Sequence, residues 1–248
     1  MNHHYPLRGQ PPPMFCRTLT RRRKQRFVIV CIIMLAFLYK GPMNLPEEID
    51  NFHFEDAQPP ITLSNKTAAL CTVIKDPQKR YIDEWADYHM MAVGFTSLRL
   101  YDNTQNFTLK NWGEDKSYSS NIKRIHFLPD ITHNITYFEG VKSNVQSAAF
   151  MDCVKSAIEE GIDWVATFDM DEFLVLYNTT SSIVDFMEEY CEHPCGQLSF
   201  NWLLFGSSNR SKYVPVPVTK RFQYRIPSND DNLVKGIADP KAVDQSSL

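Results

Sequence analysis

The chain has 248 residues, 43% of them hydrophobic and 22% charged, a composition that excludes disordered and fibrous proteins and suits one sizeable domain with appendages. The net charge of −3 gives nucleic acid no general attraction. Its distribution is uneven: residues 1–26 carry seven basic side chains and no acid, and residues 41–60 carry five acids and no base.

Between these segments lies Phe27–Tyr39, FVIVCIIMLAFLY, an uncharged apolar run. It is short for a spanning helix, but the long basic segment before it and the poor cleavage site after it (YKGPMN) favour a retained signal anchor. The charge step orients it with the basic side in the cytoplasm. The expectation is a basic cytoplasmic tail over 1–26, a transmembrane helix over 27–40 and a Pro-rich, acidic stem over 41–66. A folded domain then occupies 67–248. The basic tail abuts the apolar run, so anchor orientation accounts for it better than a nucleic-acid arm does. Five glycosylation sequons, at Asn65, Asn106, Asn134, Asn178 and Asn209, and four cysteines after the anchor, Cys71, Cys153, Cys191 and Cys195, fit a lumenal body with three possible complete disulfide pairings. In CEHPC the ligands are too crowded for a zinc site, which favours a local disulfide or two core thiols.

Ala68–Ile74, AALCTVI, reads as a buried parallel strand. Ile82, Trp85, Ala86, Met90 and Val93 then recur at helical spacing, with Gly94 as the stop. TSLRLYD alternates into a second strand ending at Asp102, which makes a right-handed crossover unit. After a polar insertion and a short strand near RIHFL, Ser143–Gln146, SNVQ, has the form of a capping box. The helix it opens has Phe150, Cys153, Val154, Ala157 and Ile158 on one face and closes at Gly161. WVATF is another buried strand. GQLSFNWLLFG and YVPVPVTKRFQYRI read as later, partly antiparallel strands. The fold class expected is α/β with a mixed sheet and flanking helices.

The stretch WVATFDMDEFLVLYN, Trp164–Asn178, carries the chemistry. Asp169 and Asp171, two apart on a strand, converge on one side, at the carboxyl end where open α/β sheets bind ligands. Paired carboxylates repel unless a cation lies between them, and Mg2+ or Mn2+ held by one or two carboxylates plus phosphates fits. A phosphatase of the haloacid-dehalogenase type expects Thr or Val where Phe173 stands. A calcium loop lacks its third ligand and its glycine. A nucleotide-sugar transferase uses such a pair to hold a metal against the diphosphate, and alone of the three suits an anchor and stem.

AALCTVIKDPQKRYIDEWADYHMMAVGFTSLRLYDN, QSAAFMDCVKSAIEEGIDWVATFDMDEFL, NWLLFGSS and KRFQYR…LVKGIADP, in this order, resemble glycosyltransferase family 92 and a related family-2-like group. The resemblance covers about residues 68–240. It implies a GT-A-like fold, a type II Golgi or ER membrane protein, and transfer of a sugar, galactose in the characterised activity, from a UDP-sugar to a glycan acceptor with Mn2+. It makes Asp169 and Asp171 the metal and diphosphate ligands and puts Lys75, Asp76, Asp102 and Asn103 beside the nucleotide. Glu172 is expected to orient the site, and Gln146 is expected to be the capping-box partner. Candidates for the base that takes the acceptor proton are Asp230, Asp231 and Asp239, with Glu172 beside them. Family members read Gly-His where this chain has Asn209-Arg210, and they continue past Leu248 with a histidine-bearing segment. A truncated chain is therefore implied, and a non-catalytic glycan-binding or scaffold member is the alternative to an enzyme.

Overall fold

The computed structural model describes residues 28–31, 60, 62–75, 79–128, 136–138, 141–176, 182–191, 195–208, 212, 216–225 and 233–243. Its centre is an eight-stranded mixed sheet. The strands are β1 (Val28–Cys31), β2 (Ala68–Ile74), β3 (Ser97–Asp102), β4 (Ile122–His126), β7 (Trp164–Thr167), β8 (Glu172–Val175), β9 (Gln197–Leu204) and β10 (Val234–Ala238), in the order β4-β3-β2-β7-β10-β9-β1-β8. β5 (Thr136–Phe138) and β6 (Val141–Ser143) form a separate antiparallel pair.

The first half follows the sequence pattern. β4, β3, β2 and β7 are parallel neighbours, and α1 (Lys79–Asp87) with a π-helical turn (Tyr88–Val93) makes the crossover from β2 to β3. Gly94 ends it at φ 81°, where a Cβ would come within 2.8 Å of Pro60 Cγ and 3.0 Å of Ser182 Cβ; conformation and space both call for glycine. Both faces of these strands are covered. Leu70, Leu98, Leu100 and Ala166 pack with Ile82, Trp85 and Phe168 on one face. Ala69, Cys71, Tyr101 and Val165 pack with α2 (Val145–Glu159) on the other, through Ala149, Cys153, Val154 and Ala157. The apparent polar face of β3 is therefore also interior. Arg99 is fully buried, donating to the Cys153 carbonyl at 3.1 Å and Ser156 Oγ at 2.7 Å and pairing with Glu160 at 3.1 Å. A Cys71–Cys153 disulfide ties β2 to α2, and a second joins Cys191 to Cys195 after α3 (Ile183–Tyr190).

Two sequence expectations change, and the membrane-helix expectation over 27–40 falls mostly outside the described residues. Val28–Cys31, expected within a membrane helix, is extended and lies between β9 (parallel) and β8 (antiparallel). Its consecutive β-branched residues Val28, Ile29 and Val30 suit a strand. Residues 1–27 and 32–59 lie outside the described residues, and no helix among the described residues is long and apolar enough to cross a membrane. Of YVPVPVTKRFQYRI, residues 216–225 are described, and they do not form the expected strand. Proline lacks the N–H a ladder requires, and after Pro217 the chain turns into the short helix α4 (Val218–Arg221). There Arg221 pairs with Glu84 of α1 at 2.7 Å, and the Val218 N–H donates to the same carboxylate. The N-cap of α2 is Asn144, whose side chain accepts from Ser147 N at 2.8 Å, rather than the expected Ser143. That shift leaves Gln146 available for other contacts.

Candidate active site

WVATFDMDEFLV is not one strand interrupted by acids. β7 stops at Thr167 and β8 begins at Glu172, four strands away in the sheet. Phe168 is buried, its N–H bonded to the Cys71 carbonyl at 3.1 Å. Asp169, Met170 and Asp171 form the turn that redirects the chain, closed by Glu172 N donating to the Asp169 carbonyl at 3.0 Å. Strand alternation therefore does not bring Asp169 and Asp171 together; the turn does.

Glu172 holds that turn in place. It is 1% exposed, and its two carboxylate oxygens receive three N–H donors. Trp202 Nε1 of β9 lies 3.1 Å from Oε1, while the Asp169 backbone N and Lys235 Nζ of β10 each lie 3.0 Å from Oε2. Its carbonyl accepts from Trp85 Nε1 of α1 at 2.8 Å. Burial pushes the Glu172 carboxyl upward, against the Lys235 charge and the Asp169 N–H. The three N–H groups aimed at its oxygens favour the ionised form. A carboxylate so engaged is a positioning group. It is not the base named among the sequence candidates.

Asp169 is 43% exposed. Its Oδ1 accepts from Gln146 Nε2, in the first turn of α2, at 2.6 Å, and its Oδ2 from Lys235 Nζ at 3.2 Å. Burial lowers the tendency of Lys235 to stay charged, but the Glu172 and Asp169 carboxylates outweigh it and raise its pKa. Asp171 is exposed; nearby protein desolvates its carboxyl and the Asp169 charge repels it, so its pKa is raised. Beneath the turn, His89 is fully buried. Its Nδ1 donates to the Trp85 carbonyl at 2.8 Å and its Nε2 accepts from Leu174 N at 3.3 Å, roles imposed by partners that only accept and only donate. Burial lowers its pKa to about 3.

The remaining expected residues have other surroundings. Lys75 is exposed at the end of β2, and Asp76 lies outside the described residues. Asp102 is fully buried and organises its own loop, accepting from Thr104 N at 2.8 Å and Leu109 N at 2.7 Å. Asn103 donates to the Phe127 carbonyl at 2.8 Å. The Asp102 carboxylate is therefore taken up by its own loop, and Asn103 is half-buried beside it. Next to that loop, on the same edge of the sheet, is an open cavity of about 310 Å3 lined by Lys79, Asp83, Thr108, Trp112 and Asp115. Asp239 caps a 3-10 turn, accepting from Lys241 N at 2.9 Å. It follows β10, which runs antiparallel to β7, so it lies roughly 13 Å along the strand from Lys235 and at the opposite edge from Asp169. That position removes it as a base. Asp230 and Asp231 lie outside the described residues, as do Asn134, Asn178 and Asn209; Asn65 and Asn106 are exposed.

No group of three or more His, Cys, Asp or Glu side chains among the described residues is arranged to hold a metal ion. The donor set is nonetheless of the right kind for a hard cation: one exposed and one half-exposed carboxylate in a single turn, with remaining positions left for phosphate oxygens. Sequence reasoning missed Gln146, Trp202 and Lys235 as partners of this turn. Trp202 and Lys235 lie inside the quoted motifs NWLLFGSS and LVKGIADP, so their stretches were marked and their roles were not.

No curated protein and no solved structure matches this sequence. One family profile does, over residues 88–248, a span that contains Gln146, the acidic turn, Trp202 and Lys235. The chain belongs to glycosyltransferase family 92, and membership supports glycosyl transfer as its activity.

Proposed function

We propose that this protein transfers a sugar from a nucleotide diphosphate donor to a glycan hydroxyl, with the diphosphate seated at the Asp169–Asp171 turn. The observation that carries the proposal is the support of that turn from four separated segments, through Trp85, Gln146, Trp202 and Lys235. Such convergence is the preorganisation a charged ligand requires. Asp169 and Asp171 would hold Mn2+ or Mg2+, which when bound supplies charge neutralisation to the departing diphosphate. Glu172 and Trp202 fix the turn, and Gln146 orients the Asp169 carboxylate. In the transfer the bond from the anomeric carbon to the phosphate oxygen breaks as the acceptor oxygen bonds to that carbon. The acceptor proton passes to a carboxylate, for which Asp230 and Asp231 remain the candidates. The resemblance points to a UDP-sugar, with galactose the first sugar to test.

The test is calorimetric titration of the full chain with UDP, with and without manganese, followed by a screen of UDP-sugars. Manganese-dependent binding that Asp169→Asn and Asp171→Asn abolish is the expected result. Absence of binding in the wild type under both conditions would overturn the proposal and favour the non-catalytic glycan-binding alternative.

A Golgi or ER lumenal setting, with the membrane reached through residues 27–40, belongs to the same proposal. The two disulfides and the exposed sequons at Asn65 and Asn106 support the oxidising compartment. The membrane claim competes with β1 for the same residues. Protein that stays in the pellet on alkaline extraction assigns the apolar run to the bilayer; released protein assigns it to the sheet.

A further inference from the structure

Lys235 has more capacity than its structural partners use. Glu172 already receives the Trp202 and Asp169 N–H groups, so Lys235 is needed there for charge and not to satisfy a hydrogen bond. An ammonium carries three N–H groups, and the contacts at 3.2 Å to Asp169 and 3.0 Å to Glu172 engage two. Its side chain is also 26% exposed, against 2% for that of Glu172. Burial strengthens the attraction within a charged pair but costs the ammonium its hydration. The Lys235 ammonium keeps an open side at the turn where the donor is proposed to bind. Among the described residues it is the one cation within ion-pairing distance of the Asp169 and Glu172 carboxylates.

We infer that Lys235 is itself a ligand of the donor diphosphate, donating its remaining N–H to a phosphate oxygen and giving this protein a component of donor binding that needs no metal ion. The inference rests on the donor reading above and adds a residue to it. Asp169, Asp171 and Glu172 carry three negative charges when ionised, and Lys235 reduces the local sum to −2. Without Lys235 an incoming diphosphate meets uncompensated carboxylates, whereas with it the diphosphate meets a cation already fixed by two of them.

The experiment titrates the full chain with UDP and with inorganic pyrophosphate, first in EDTA and then in manganese. Wild type is expected to bind both probes weakly in EDTA and more tightly in manganese. Lys235→Met should lose about tenfold or more of the EDTA affinity, the loss of one charge-assisted hydrogen bond, and Lys235→Arg should recover most of it. Equal EDTA affinity in wild type and Lys235→Met overturns the inference, as does wild type that binds only in manganese. No binding of either probe, even in manganese, instead overturns the donor reading itself. Should Lys235→Met fail to fold, acetylation footprinting of wild-type protein answers the same question. Pyrophosphate in EDTA should protect Lys235 and not Lys220 or Lys241, and unchanged labelling of Lys235 overturns the inference.

Discussion

Asp102 and Asp169 each sit where a parallel strand ends, at the same edge of the sheet, and their partners differ in kind. The Asp102 oxygens take backbone N–H groups from its own loop, two and seven residues on, and nothing of it is exposed. The Asp169 oxygens take side chains from α2 and β10, 23 and 66 residues away, and 43% of it is open. A carboxylate consumed by local amides shapes a turn. One steadied by long-range side chains and left partly open suits the proposed ligand site.

The largest test of that difference is Glu172→Ala. It should destabilise the protein by about 3 to 5 kcal/mol in urea denaturation, because it leaves the Trp202 and Asp169 N–H groups without their acceptor and Lys235 with one carboxylate fewer. A cost below 1 kcal/mol would mean that the acidic turn stands without its anchor. Next comes Asp102→Ala, expected to cost about 2 to 3 kcal/mol by leaving buried amides unsatisfied, with UDP affinity of the folded protein unchanged. Loss of UDP affinity at unchanged stability would reverse the roles assigned to the two aspartates.

The platform under the Asp169 turn supplies a pH test. The His89 pKa is about 3 when folded, against an ordinary value of 6.5. Between these values the unfolded chain binds a proton that the folded chain excludes. His89 therefore contributes stability that is fully present above about pH 6.5 and is lost as pH falls toward 3. By pH 5 the loss should reach about 2 kcal/mol, measured as urea midpoints at pH 8, 6 and 5, and His89→Gln should remove this slope. The smallest stability effect belongs to Asp171→Asn, within about 0.5 kcal/mol of wild type for an exposed side chain. Its manganese-dependent UDP affinity should nevertheless fall at least about tenfold, which makes it the cleanest separation of binding from folding.

The parallel half of the sheet was legible because local periodicity encodes it. β2, the crossover ending at Gly94, β3 and the α2 face all appear where apolar spacing puts them. Proline misled at 216–225, where alternation of apolar residues concealed a missing ladder donor at Pro217. The acids at 169–172 stand out in the sequence, but strand alternation does not bring them together: they form a turn. The roles of Trp202 and Lys235 had no local signal. Each is a polar or amphipathic residue in an ordinary strand, and its partner lies 30 or more residues away. Asp102 misled in the opposite direction, since a strand-ending aspartate looks the same whether its oxygens meet a ligand or the next loop.

The order of strands has a consequence for synthesis. β10, which carries Lys235, inserts between β7 and β9, so the edge of β7 is made long before its neighbour. The interval from Thr167 to Val234 takes a ribosome roughly 3 to 13 s at about 5 to 20 residues per second, whereas a hairpin pairs in about 1 to 10 μs. The nascent chain therefore holds an open β7 edge and an unneutralised acidic turn for a time set by translation and not by folding. Closing the sheet and charging the site are then a single late event.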